Sequence, residues 1–254
     1  MNLNLRSLMA RLQEQEPPPP WSAATGVGLV IAYFVLQVSA LTLFSVLVDA
    51  EAARVGLVSP AVVNFSAIVA GLLAVLLLWL VLRRRAPTAL ARALRIERPV
   101  GSAWLLVLFS LGAAILVDFV PLAAQAAGLP GNLLNMAGAS GLGWVLAAVF
   151  TALVGPLALA LLLQGALYPA VAARRGNLQA IVLTALVYMA LQVALGNPGD
   201  ASLWGQMFFT GLYVTGARAY QQSTRAALVA HLVIGVFWLF KAGWLFLYAP
   251  TLVG

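Results

Sequence analysis

The chain contains no cysteine, and charged residues make up only 8% of its 254 positions. The absence of cysteine excludes disulfides, thiolate metal ligands and cysteine nucleophiles. A single histidine, His231, leaves too few ligands for a hydrolytic zinc site, which commonly needs about three protein ligands. Soluble domains carry about 25% charged residues, so this low charge content argues against a soluble protein.

Hydrophobic residues instead make up 63% of the chain. They fall into runs that reach the roughly 20 residues needed to cross a bilayer. The runs do not alternate between polar and apolar positions, which favours helices over a membrane barrel. We therefore predict an all-α, polytopic membrane helix bundle of about seven transmembrane helices, at residues 22–48, 62–82, 103–122, 142–173, 178–195, 203–217 and 226–248.

The basic residues alternate between the gaps that separate these runs. Lysine and arginine concentrate in the N-terminal tail and in residues 83–98, 174–175 and 218–225, whereas the opposite gaps hold only Arg54. This asymmetry predicts a cytoplasmic N-terminus and a C-terminus across the membrane. Since topology explains the net charge of +7, we predict no nucleic-acid partner.

Several segments outside the runs have more than one interpretation. Residues 1–15 form a frayed tail or an interfacial helix. Residues 17–20 are four prolines, a stiff spacer, and Trp21 follows where an interface anchor is expected. Residues 83–98 are a basic amphipathic segment that lies on anionic lipid headgroups, a solvated loop that only sets the orientation of the protein in the membrane, or both.

The most informative stretch is residues 155–175, GPLALALLLQGALYPAVAARR, an apolar helix that ends in a basic pair. VYMALQ at 187–192, GQMFFTGLYVTGARAY at 205–220 and AALVAHLVIG at 226–235 follow it. The order and spacing of these segments resemble the CPBP family of intramembrane proteases, also called the CAAX-protease or bacteriocin-processing family. Pro156, Gly165, Tyr168 and the basic pair fit that family's pattern, over about residues 145–240.

The resemblance also locates the positions that carry the family's chemistry. It implies that a glutamate pair and two histidines activate water, and that an arginine and an asparagine orient or stabilise. In this chain the matching positions are, in order, Leu159 and Ala160 for the glutamates, Gln164 for the arginine, Tyr188 and Gln192 for Phe-x-x-x-His, and His231 and Gly235 for His-x-x-x-Asn. Leucine, alanine and glutamine cannot accept a proton at neutral pH, and one acid–base group contributes roughly 100- to 10,000-fold in rate. We therefore predict a degenerate site with no catalytic residue, no metal and no cofactor.

Two ionisable residues inside the runs allow alternative interpretations. Asp118 lies near the far end of its run, so an interfacial or capping role is favoured over a catalytic pair with His231. For His231, a neutral ring hydrogen-bonded to Gln164 or Gln192 is favoured over a ligand contact. Gln192 lies far along its run, so it meets His231 only if its helix is tilted or short.

These observations predict residues 1–20 as a cytoplasmic tail, 21–140 as three N-terminal spans and 141–250 as a CPBP-like core of four spans. The predicted function is a binding, assembly or accessory role in a bacterial inner or equivalent membrane. Its partners would be the lipid bilayer and other membrane proteins, and its core would hold a partner helix, a lipid or a hydrophobic cofactor. The alternative is an active intramembrane endopeptidase on prenylated or bacteriocin-like peptides. A transporter or channel ranks last because the spans contain few polar residues.

Overall fold

The computed structural model describes residues 17–48, 50, 58–87, 89–96, 102–123, 129–134, 136, 139–195 and 201–248. Across these ranges the chain forms helices and no strand, which confirms the predicted all-α fold. The predicted tail, residues 1–15, lies outside them. The helices are α1 Ala23–Val48, α2 Pro60–Arg83, α3 Leu90–Ala93, α4 Ala103–Ala123, α5 Gly131–Leu134, α6 Gly141–Arg175, α7 Asn177–Ala194, α8 Ala201–Gln221 and α9 Thr224–Tyr248.

Within the described ranges, six helices are long and apolar enough to cross a membrane: α1, α2, α4, α6, α7 and α9. The remaining predicted span is α8, which has 21 residues but is more polar. Its polar side chains lie on its buried side, where it packs against α4, α7 and α9. Because those side chains face the interior, α8 belongs to the bundle despite its lower hydropathy. The protein is thus an integral, multi-pass membrane protein of about seven helices.

The outer surface of the bundle is apolar in the way that a lipid-facing surface requires. Ile31 on α1 is 57% exposed, Leu116 on α4 is 69% exposed and Phe240 on α9 is 76% exposed. Large exposed apolar patches are rare on soluble monomers but cost nothing against lipid tails.

Two π-helical stretches interrupt α6, at Phe150–Val154 and Ala160–Leu167. Each ends just before a proline, Pro156 or Pro169. Proline lacks an N–H group and its ring collides with the carbonyl about four residues earlier, so a widened turn relieves the collision. In a π-helical turn the N–H of a residue bonds to the carbonyl about five residues earlier. Because proline has no N–H, that carbonyl lacks its partner within the helix.

The two carbonyls that the prolines leave free belong to Thr151 and Gln164, and neighbouring helices contact both of them. Gly235 of α9 lies so close to the Thr151 carbonyl that a Cβ atom at this position would overlap the oxygen. Arg218 of α8 donates from Nε to the Gln164 carbonyl at 3.2 Å. The prolines of α6 therefore create the points at which α8 and α9 join it.

Trp21 also joins α6, and this corrects the prediction that it anchors the chain at the membrane interface. Its side chain is only 4% exposed, and Nε1 donates to the carbonyl of Ala166 at 2.9 Å. The indole is buried because the widened turn of α6 offers an acceptor that satisfies its single N–H donor.

The arginine-rich end of the bundle corrects two further predictions. Arg218, predicted to lie in a basic loop, is on α8 and fully buried. Leu94 and Arg95 are also buried, because Thr224 Oγ1 donates to the Leu94 carbonyl at 2.5 Å and Arg95 Nη1 donates to Gln222 Oε1 at 3.4 Å. The end of the predicted amphipathic segment thus packs on the α8–α9 turn. The arginines that remain exposed at this end, which we call the arginine face, are Arg83, Arg84, Arg85, Arg92, Arg174, Arg175 and Arg225.

Candidate functional site

Two adjoining cavities of about 70 and 40 Å³ lie inside the bundle, and we refer to them together as the chamber. Residues of α1, α2, α6 and α7 line the larger cavity, and residues of α6, α7 and α9 line the smaller one. Asn132 from the short helix α5 contributes to both. The other residues that both cavities share are Phe150, Leu159 and Gln192.

The structure brings most of the predicted site positions to the smaller cavity. Its lining includes Leu159, Tyr188, Gln192, His231 and Gly235. Of the remaining two positions, Gln164 lies behind His231 and is hydrogen-bonded to it, whereas Ala160 is buried at 1% exposure and is not part of the lining.

His231 occupies the inner end of the chamber with a defined set of partners. Its Nε2 lies 3.3 Å from Gln164 Oε1, and because that oxygen accepts, Nε2 carries the hydrogen. Gln164 Nε2 in turn donates to Thr215 Oγ1 at 3.4 Å. The Tyr188 ring lies on the other side, with its centroid 5.5 Å from that of the imidazole. His231 therefore holds α6 to α9 while one side of its ring lines the cavity.

Gln192 reaches the same cavity because α7 is short. The helix ends at Ala194 after 18 residues, so Gln192 lies in its last turn and is only half-buried. Tyr188 lies one turn deeper, between Gln192 and the level of His231. Gln192 and His231, which the sequence places at different depths in the membrane, are therefore linked through the Tyr188 side chain and not by a direct contact.

Sequence reasoning missed a group of amides and hydroxyls at the opposite wall of the chamber. Asn132 Nδ2 donates to Thr151 Oγ1 at 2.7 Å and to Asn64 Oδ1 at 3.1 Å. On α1, Gln37 Nε2 donates to the Tyr33 hydroxyl at 2.8 Å. The usable signal was the presence of Gln37 and Asn64 inside otherwise apolar runs, since polar groups in a span normally face a partner or a cavity.

Asp118 lies away from the chamber and does not pair with His231. Lys241 Nζ lies 2.5 Å from Asp118 Oδ1, and Gln206 Nε2 donates to the same oxygen at 3.2 Å. Lys241 is about ten residues beyond His231 on α9, or roughly 15 Å along the axis. The two side chains of the ion pair are only 16% and 21% exposed. Asp118 therefore joins α4 to α8 and α9, a more buried role than the interfacial one expected.

The described lining of the chamber offers amides, hydroxyls and one imidazole as hydrogen-bonding groups. Asp118 supplies the single side-chain carboxylate of the described ranges, and it is outside the chamber. In the same ranges no three His, Cys, Asp or Glu residues lie close enough to hold a metal ion. Gly235, which matches the family's asparagine, has a packing role because any side chain would overlap Thr151.

Searches of protein-family models, of curated proteins and of solved structures found no match to this chain. The resemblance to the CPBP family therefore rests on the order and spacing of its four segments, and the family assignment stays a prediction.

Proposed function

We propose that this protein has the core of a CPBP-type intramembrane protease without the proteolytic activity, and that it acts as a binding or accessory protein within a bacterial inner or equivalent membrane. The chamber is the proposed binding site. In this proposal the space in which a protease would hold its scissile bond now holds a membrane ligand or part of a partner protein.

The observation that carries this proposal is the set of side chains around His231. Gln164 and Tyr188 contact the imidazole, Leu159 and Gln192 line the same cavity, and none of these four is an acid or a base at neutral pH. Water activation needs a general base within about 2.6–3.2 Å of the water, oriented by a further group. His231 alone, already hydrogen-bonded to Gln164, does not make such a pair.

The direct test compares proteolysis and binding on one purified preparation in lipid nanodiscs. Wild-type protein and His231→Ala are incubated with a prenylated peptide and with a bacteriocin-like leader peptide, and products are followed by mass spectrometry. We expect no cleavage above the empty-nanodisc control by either protein. Turnover by wild type that disappears in His231→Ala would overturn the inactive interpretation and support an endopeptidase.

Binding is tested on the same preparation by native mass spectrometry from mild detergent. We expect a bound lipid or protein that is retained by wild type and lost when Leu159, which borders both cavities, is replaced by tryptophan to fill them. Leu153→Trp on the exposed surface of α6, where the leucine is 58% exposed, is the matched control and should retain the bound species. Detection of the wild-type protein without any bound ligand or partner would remove the support for a binding role.

A further inference from the structure

Exposure increases along the chamber from its inner end to the end opposite the arginine face. Tyr33, Tyr188 and His231 are at most 4% exposed at the inner end. Leu41 and Leu195 are half-buried and lie near the ends of α1 and α7 that point away from the exposed arginines. The chamber therefore opens at that end, among the ends of α1, α2 and α7.

The opposite end of the chamber is closed by a fully buried layer. Gln164, Thr215 and Arg218 each have 0% exposure and lie between His231 and the arginine face. They are tied together by the contacts of Gln164, which donates to Thr215 and accepts from Arg218 at its carbonyl. Among the described residues, this buried layer separates the chamber from the arginine face.

The lining of the chamber is mostly apolar, contains several polar side chains and carries no formal charge. Its polar side chains are hydroxyls, amides and the imidazole of His231, and the remaining lining is aliphatic or aromatic. Transferring a charged ligand into such a site would cost several kcal/mol because no counter-charge is present. The lining therefore favours an uncharged group that both donates and accepts hydrogen bonds.

The size of the chamber limits the part of a ligand that it can hold. Its two cavities have about 70 and 40 Å³ of room for the centres of water-sized groups, which suits several small polar groups. Apolar side chains such as Leu41, Val63 and Leu195 line the outer part, where an attached hydrocarbon chain would lie.

We infer that the chamber binds the ester and hydroxyl groups of a neutral glycerolipid, which enters from the membrane side opposite the arginine face. This inference rests on the proposed binding role and specifies its ligand. The amides of Gln37, Asn132 and Gln192 would pair with the ester and hydroxyl oxygens, and the acyl chains would leave between α1 and α7 toward the bilayer.

The absence of cysteine makes the access side directly measurable. Single-cysteine variants Gln192→Cys at the outer wall and Thr215→Cys in the closed layer are reconstituted in oriented vesicles. An impermeant thiol reagent is then added to one side at a time. Tyr248→Cys, at a position that is 70% exposed, and Arg174→Cys, on the arginine face, report the two sides.

We expect Gln192→Cys to react only from the side that modifies Tyr248→Cys, and Thr215→Cys to react from neither side. Leu195→Cys, also in the lining, repeats the test if Gln192→Cys does not fold. Reaction of the lining cysteines from the Arg174→Cys side, or from neither side, would overturn the inferred opening.

The ligand class is measured by protection of Leu195→Cys, which lies in the lining but makes no polar contact to the inferred ligand. A diacylglycerol at about ten times its dissociation constant should slow the modification of Leu195→Cys roughly tenfold and leave Tyr248→Cys unchanged. Phosphatidic acid, which is anionic, and an alkane, which has no polar group, should not protect. Failure of diacylglycerol to protect, or protection only by phosphatidic acid or by an uncharged peptide, would overturn the glycerolipid assignment. Protection by a peptide would leave the proposed binding role intact.

Discussion

Replacing Gly235 by alanine tests the contact between α6 and α9 that the proline of α6 makes possible. A Cβ atom at position 235 would overlap the Thr151 oxygen and lie 3.2 Å from its carbonyl carbon. Both atoms belong to the backbone, so no rotation of a side chain can relieve the overlap. The two helices must move apart about one turn of α9 beyond His231, which is hydrogen-bonded to Gln164 of α6.

The expected cost follows from this geometry. Adding a methyl group to a well-packed interior costs roughly 1–3 kcal/mol, and contact with a backbone oxygen places this case at the upper end. Alanine in a helix regains roughly 0.5–1 kcal/mol relative to glycine. We therefore expect Gly235→Ala to lower the unfolding free energy by about 2 kcal/mol, which for a chain of this length is roughly 4–8 °C in Tm.

The assay is thermal unfolding in mild detergent, followed by the fluorescence of the seven tryptophans and by circular dichroism. Gly243→Ala is the matched control, because Gly243 lies on the same helix and a Cβ atom there has nothing within 4 Å. We expect the control to be neutral or slightly stabilising. Equal Tm values for the two variants would refute the close approach of α6 and α9.

Three further predictions concern contacts outside the chamber. Asp118→Asn should destabilise the protein by about 2 kcal/mol because it leaves the Lys241 ammonium without its counter-charge, and adding Lys241→Met should recover most of the loss in a chemical unfolding series. Trp21→Phe should cost about 1 kcal/mol or more, since phenylalanine is smaller than the buried indole and cannot donate to Ala166; a Tm equal to wild type would contradict that hydrogen bond. Arg218→Lys should behave like Arg218→Met rather than like wild type in the same assay, because an ammonium does not reproduce donation from Nε to the α6 carbonyl; full stability of the lysine variant would count against that role.

The sequence predicts the membrane helices well because length and hydropathy are local properties. Six of the predicted runs form described helices that are long and apolar enough to cross a bilayer, and the bilayer leaves the backbone few alternatives to a helix. Two side chains show where this approach ends. Trp21 and Arg218 are of the types expected at an interface, and both are buried because carbonyls in the second widened stretch of α6, those of Ala166 and Gln164, accept their hydrogen bonds.

The sequence by itself determined the all-α class, the helix boundaries to within a few residues and the absence of acids and bases at the family-like positions other than His231, because all of these are set by residue type and spacing. Only the tertiary structure decided that Asn64, Asn132 and Thr151 join one polar group, and that Asp118 pairs with Lys241 and not with His231. Such contacts join residues that are far apart in the chain. They depend on how the helices pack, which the type and spacing of single residues do not specify.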